Sequence, residues 1–268
     1  MKLTDTHSHL YDTAFDADRE EALARAAAAG VEHLLLPGID SESHGALFDL
    51  CRRHPGQCVP MMGLHPTSVN DNPHWREELA LAERYLTAPP EGIARFCAVG
   101  EIGLDYYWSG EFVAEQVEAF VSQCRLAARL GLPVAIHTRA AWDDMCRIIG
   151  EEATAAAEAG RRLRGVFHAF FGGCRHLPET EACAIRLRNR RRGDFQEEQL
   201  ADTVREMELD DIVLETDCPY LTPAPHRGER NESAYVRFVC EKVAELKGLP
   251  PGEVAAATTA NAKRIFGI

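Results

Sequence analysis

Short apolar runs recurring between longer helical patterns constrain this chain more than any other feature. Residues 2–5, 31–36, 58–63, 96–100, 132–136, 165–167 and 211–214 each read as a strand, rich in Leu, Val, Ile and other apolar residues. One helical stretch between them starts at a cap formed by Asp16 or Asp18 and crosses Ala-rich sequence to Gly30, a residue suited to ending a helix. Another, 111–130, repeats Val113, Val117, Phe120, Val121, Cys124, Ala127 and Ala128 at three-to-four spacing, which gives one buried stripe. The last two, 232–247 and 253–266, are separated by Pro250, Pro251 and Gly252. Alternation of this kind predicts parallel βα units. With an eighth strand expected between residues 183 and 200, the count is that of a closed (β/α)8 TIM barrel. The competing architecture is a doubly wound open sheet. At 268 residues and 46% hydrophobic content the chain can bury one sizeable core, so 1–268 is expected to form a single domain.

What favours the barrel is where the chemistry falls. His7 and His9 end the first run two residues apart, so both side chains point to one face and can share a metal ion. Glu101 follows the fourth run with glycines on both sides, which leave room for a metal or substrate to approach the backbone. A carboxylate there is a natural bridge between two cations. His137 and His168 each close a nearly pure apolar run, and Asp217 ends Asp-Ile-Val-Leu-Glu-Thr-Asp, where it can bind metal and accept a proton from water. Glu215, two residues earlier, should face the same way in a supporting role. A lone histidine at a strand end is more often a satisfied core group, but several at equivalent positions far apart in sequence argue for a shared mouth. Four imidazoles and two carboxylates suit two divalent ions of the Zn, Mn or Mg type, and hydrolysis by a metal-activated water is the implied chemistry. Glu101 and Asp217 are the candidate catalytic groups.

Charge and cysteine usage narrow the setting. Lys and Arg number 29 against 42 Asp and Glu, a net charge of −13, so no global positive field draws the chain to nucleic acid or an anionic membrane. A phosphate-bearing substrate must therefore be gripped locally. The nine cysteines are scattered and lack any CxxC pair, as in a reduced cytoplasmic protein. No apolar stretch follows the polar start at residues 2–9, and none approaches a membrane span, so neither a signal peptide nor a membrane association is expected. No obligate protein partner is indicated.

The ordered motifs resemble a known family. Asp5-Thr6-His7-Ser8-His9-Leu10, Gly63-Leu64-His65-Pro66, Gly100-Glu101-Ile102-Gly103-Leu104-Asp105-Tyr106, Ile136-His137-Thr138-Arg139, Phe167-His168-Ala169-Phe170 and the run from Glu215 to Pro223 look like the TatD-type metal-dependent deoxyribonucleases. Pro225-His226-Arg227-Gly228, Asn231-Glu232 and the closing run from Asn261 to Gly267 extend the likeness over nearly the whole chain. The resemblance implies an amidohydrolase-like barrel with one metal on His7, His9, Glu101 and Asp217 and another on Glu101, His137 and His168. It also implies hydrolysis of DNA phosphodiesters, often from the 3′ end of single strands.

Weaker candidates surround this set. His65 could orient substrate or water, or serve a turn. Arg139 and Arg227 are candidate phosphate clamps, because guanidinium matches phosphate bidentately. Tyr106, Tyr107, Trp108 and Tyr220 could stack bases, although packing is the commoner use of such residues. Cys218 beside Asp217 is set aside as a nucleophile. The same metals could instead serve an amide, lactone or small phosphoester, or the chain could be an inactive metal-binding homologue, since fold does not fix function.

One stretch departs from the pattern. Where the resemblance calls for an apolar, Gly-rich seventh strand, residues 186–192 carry five arginines in seven positions, which cannot fill a barrel interior. Two readings fit: a basic surface loop that grips a phosphate backbone, or two compensating frameshifts, or a sequence error, bracketing roughly 173–199. Shifting plausible codons for 186–198 by one base gives Gly-Cys-Gly-Ile-Gly-Gly-Val-Val-Thr-Phe-Lys-Lys-Ser, the kind of strand expected. Reading the gene decides between them: the frameshift predicts a Gly-rich strand in the +1 frame there, and its absence leaves the basic loop.

Overall fold

The computed structural model describes residues 1–169, 182–185 and 195–268. Eight strands lie among them: β1 (Leu3–Asp5), β2 (Val31–Leu36), β3 (Cys58–Pro60), β4 (Val99–Asp105), β5 (Val134–Arg139), β6 (Gly165–Phe167), β7 (Ala182–Ile185) and β8 (Ile212–Leu214). They alternate with helices α1 (Arg19–Ala28), α2 (Ser41–Arg53), α3 (Trp75–Thr87), α4 (Val113–Leu130), α5 (Trp142–Glu158) and α6 (Phe195–Glu206), while α7 (Val236–Lys247) and α8 (Pro251–Phe266) close the chain. All pairings are parallel and run in sequence order, β1-β2-β3 in one sheet and β4 through β8 in another. The chain is thus α/β with parallel sheets.

Hydrogen bonds cross both edges between the sheets. Met62 bridges to Val99 and Ser8 to Cys218; Thr6 N–H reaches the Leu214 carbonyl at 2.9 Å, and Asp217 N–H reaches that of His7 at 2.9 Å. The Asp5 carboxylate accepts from Thr216 N at 2.9 Å and Thr216 Oγ1 at 2.6 Å, tying the end of β1 to the end of β8. One apolar cluster draws Leu35, Met61, Ala98, Ala135, Val166 and Val213 from both sheets and seats Ile265 and Phe266 of α8 among them.

Several expectations shift. The fourth and fifth strands run past their apolar cores, so Glu101 lies inside β4, and His137 and Arg139 inside β5. Their upper halves pair Gly103 with His137 and Asp105 with Arg139; the apolar pattern stops early because the strand tops carry polar side chains. The seventh strand sits at Ala182–Ile185, at the near edge of the interval expected for it and before the arginine run. Residues 186–194, and with them the choice between basic loop and frameshift, lie outside the described residues. Pro251 does not merely separate the last helices but opens α8 at its first turn, where its missing N–H costs nothing. Asp18 stands at the cap position of α1 but makes no capping bond; it pairs instead with Arg25 at 2.9 Å and Arg230 at 2.7 Å.

The glycines beside Glu101 also serve a different purpose. A Cβ on Gly100 would lie 2.7 Å from that of Ala135, and one on Gly103 would lie 1.9 Å from the His137 carbonyl oxygen. The absent side chains make room for β5, not for a ligand. Gly103 also has φ +149, which side-chain-bearing residues rarely adopt. Gly103→Ala is expected to cost about 2 kcal/mol or more in urea unfolding, whereas Gly110→Ala, whose Cβ meets nothing within 4 Å, should leave the midpoint nearly unchanged.

Candidate metal centre

Because the strands are parallel, their C-terminal ends gather at one face, and the site is built there. His7 and His9 follow β1, His65 follows β3, Glu101 and Asp105 sit on β4, His137 on β5, His168 just past β6 and Asp217 just past β8. Asp217 adopts a left-handed backbone with φ 60, which aspartate tolerates better than most residues.

Glu101 is the centre of the group and is 3% exposed. Its Oε2 lies 3.1 Å from His7 Nε2 and 3.8 Å from His9 Nε2. Its Oε1 lies 3.1 Å from His137 Nδ1, 3.6 Å from His65 Nε2 and 3.7 Å from His168 Nε2. The two oxygens of one carboxylate therefore face two sets of imidazoles. Asp217 Oδ1 completes the first set, 3.5 Å from His9 Nε2 and 3.7 Å from His168 Nε2.

Outer contacts fix how these rings present themselves. Tyr11 gives its hydroxyl proton to the Pro37 carbonyl at 2.6 Å, so at 3.0 Å it accepts from His9 Nδ1–H and leaves the Nε2 lone pair facing inward. His168 Nδ1–H donates to Glu215 at 2.8 Å, and the other Glu215 oxygen accepts from Ala169 N at 2.8 Å. His168 also stacks on His7 at 3.6 Å between centroids. His65 Nδ1 contacts Thr67 Oγ1 at 2.6 Å and accepts from Thr67 N at 3.2 Å, which starts the short turn after it.

The donor set suits divalent ions. Three groups have ligand atoms all within 4.8 Å of one another: His7, His9 and Asp217; His7, Glu101 and His168; and His65, Glu101 and His137. A tetrahedral ion with bonds of ~2.0–2.2 Å holds its ligand atoms roughly 3.3–3.6 Å apart, close to the separations found here. His7 Nε2 and His9 Nε2 approach to 3.2 Å, and a cation between two such nitrogens relieves their repulsion. The structure differs from the expected grouping in two respects: His65 accompanies Glu101 and His137, and His168 falls with His7 and Glu101.

Protonation follows the charges. Burial opposes the charged form of Glu101, but His7, His65, His168 and His137 outweigh it and hold its carboxyl well below the usual range. Burial likewise disfavours protonated His137, yet Asp105 and Glu101 raise it to about 9. His168 is raised despite burial, by Glu215, Asp217 and Glu101. Burial lowers His7 and His65. Cys218 is fully buried, pushed up to about 12 by burial and bonded to Ser8 and Ser233, which suits structure and not nucleophilic attack.

The remaining candidates divide. The cluster opens into a cavity of about 500 Å³ whose wall includes His65, Tyr220 and the acidic Asp12, Asp40 and Glu42. Tyr106 is partly buried and gives its hydroxyl to Asp144 at 3.1 Å, a packing role. Tyr107, Trp108 and Tyr220 are exposed, so of the core or rim packing favoured from sequence only the rim kind applies to them. Arg139 and Arg227 are both exposed, and Arg139 lies over Tyr107 and Trp108 outside the cavity wall. Sequence reasoning gave no role to Asp105, whose Oδ2 lies 2.9 Å from His137 Nε2, or to Tyr11. For Asp105 a signal existed, since Glu101, Gly103 and Asp105 share one face of a strand.

A parallel α/β frame that brings histidines and carboxylates from six strand ends to one point defines a metal-dependent hydrolase. Residues 4–267 match the family described as TatD related DNase, and the chain belongs to that family. It is 35% identical over 271 residues to an uncharacterized metal-dependent hydrolase of Bacillus subtilis (strain 168), YabD, covering 99% of each chain. A 3'-5' ssDNA/RNA exonuclease TatD of Erwinia tasmaniensis is 31% identical over 273 residues, covering 97% of this chain and 98% of the relative. Among solved structures, the TatD homologue YjjV of Escherichia coli K12 aligns over 99% of this chain and 98% of its own with a TM-score of 0.78 at 24% identity.

The imidazole protonation gives a pH dependence. A histidine whose pKa rises on folding stabilises fully below the ordinary 6.5 and loses that contribution as pH climbs through its folded value, here about 9 for His137. Glu101 and Asp105, held low, have finished titrating below this window. In chelator, the thermal midpoint should therefore fall between pH 6.5 and 9.5, and His137→Gln should flatten that slope; a midpoint that rises over this range contradicts the assignment.

Proposed function

We propose that the protein is a divalent-metal-dependent nuclease that hydrolyses phosphodiester bonds of single-stranded DNA from a 3′ end. The observation that carries this reading is Glu101, whose two oxygens face separate sets of imidazoles. By their distances to the two Glu101 oxygens, His7, His9, Asp217 and Glu101 would hold one ion, and Glu101 with His137, His168 and His65 the other. Bound there, divalent ions supply Lewis acidity toward the phosphate and acidify a water. Asp217 is placed to accept the proton of that water. Glu215 and Tyr11 orient the rings of His168 and His9. Arg139 and Arg227 are the phosphate contacts. The frame is read as one domain over 1–268, a closed (β/α)8 barrel of amidohydrolase type. Bonds across both sheet edges and the apolar cluster shared between the sheets support that reading. Seven free thiols, at Cys51, Cys58, Cys97, Cys124, Cys146, Cys218 and Cys240, support a cytoplasmic setting.

A second reading has its own observation. The acidic groups in the cavity wall and the net charge of −13 disfavour a polyanion there and suit a small phosphoester or amide.

Purified protein is to be incubated with 5′-labelled single-stranded DNA, and separately with small esters, in Mg, Mn or Zn. The expected result is shortening from the 3′ end, abolished by chelator. Since loss of an outer partner alone costs roughly 10–100-fold, Glu101→Gln should lower the rate by more than about 100-fold. Turnover of small esters with none of DNA would install the second reading.

A further inference from the structure

Two aromatic rings beside the site are left facing solvent. Tyr107 and Trp108 are 58% and 67% exposed, directly beyond the end of β4. Their rings meet edge to face at 5.0 Å. The Arg139 guanidinium lies 3.6 Å from the Tyr107 ring centre and 5.3 Å from that of Trp108. Among the described residues no carboxylate holds this guanidinium. Arg139 is the cross-strand neighbour of Asp105, and Asp105 links the assembly to the metal ligands: it accepts from Tyr107 N at 3.0 Å and contacts His137 Nε2 at 2.9 Å.

Exposing a Trp and a Tyr side by side leaves large apolar area in water, and the Arg139 guanidinium beside them adds an anion contact. The cavity on another side of the cluster carries Asp12, Asp40 and Glu42 and includes neither ring nor Arg139. A phosphodiester strand is repelled along the carboxylate wall and admitted along the aromatic one.

We propose that Tyr107, Trp108 and Arg139 form a stacking platform for an unpaired base of the single strand next to the scissile bond, with Arg139 on the adjoining phosphate. The strand leaves the site over this platform, and the acidic cavity takes only its terminal nucleotide. This rests on the nuclease reading of the same site and adds the path of the substrate and the residues that select a single strand. A duplex cannot present an unpaired base face to the rings, whereas any base of a single strand can, so the platform selects strandedness without selecting sequence.

The test is binding by fluorescence anisotropy with magnesium present, using phosphorothioate single strands that resist hydrolysis, either base-bearing or abasic at the positions next to the 3′ end. The native protein should bind the base-bearing strand about 10- to 100-fold more tightly than the abasic one. Tyr107→Ala with Trp108→Ala should erase that preference, and Trp108→Phe should keep most of it. Arg139→Ala should weaken both strands alike and reduce the salt slope by about one. Equal affinity of the native protein for both strands, or an unchanged preference in the double variant, overturns the platform. If the native protein still shortens ordinary DNA in that event, the nuclease reading stands; if it shortens none, that reading falls as well.

Discussion

A buried carboxylate surrounded by imidazoles is the constraint on which the rest of this structure depends. Glu101 sits on β4 with almost no contact with water, and an isolated ionised carboxylate in such a place is costly. It is tolerated because positive charge can be brought to both of its oxygens, as protons on the histidines or as cations between them. Every neighbouring feature serves that condition. Glu215, Asp105 and Tyr11 hold rings in place, and the glycines of β4 let the adjacent strand close in until His137 reaches Glu101. The site is thus preorganised by the frame and does not rely on flexible loops to converge.

This arrangement shows why acidity overall and an anionic substrate are compatible. The carboxylates that give the chain its negative charge include groups that could hold cations, and bound cations would make the potential at the reacting centre opposite in sign to that of the molecule. The remaining acidic groups in the cavity wall then act as a boundary, restricting where a phosphate chain can lie.

Much of this was legible in the sequence, for a physical reason. A histidine or carboxylate at the end of an apolar run stands out because burial is costly unless it is used, which is how His7, His9, Glu101, His137, His168 and Asp217 were found. The alternation of strand and helix was equally plain. Strand ends were less so: β4 and β5 stay paired through polar residues whose side chains meet at the site, and apolar patterning ends before the strand pairing does. His65 was ranked too low because a Gly-Leu-His-Pro turn has an ordinary explanation, although it obeys the same strand-end rule as the others. The glycines of β4 were read as space for a ligand, whereas close packing of neighbouring strands filled that space with protein. The exposed state of Tyr107 and Trp108 could not be read at all, since aromatic residues at a strand end pack or protrude depending on what lies across from them.

The contact between the first and last strands has a consequence in time as well as in space. Ser8 pairs with Cys218, and His7 receives the backbone N–H of Asp217, so the first ligand group joins residues more than two hundred positions apart. A ribosome that has released only the first half of the chain has produced His7, His9, His65 and Glu101 but not His137, His168 or Asp217. The emerging protein can therefore gather His65, Glu101 and His137 near mid-synthesis, but the group of His7, His9 and Asp217 closes only when the eighth strand docks beside the first.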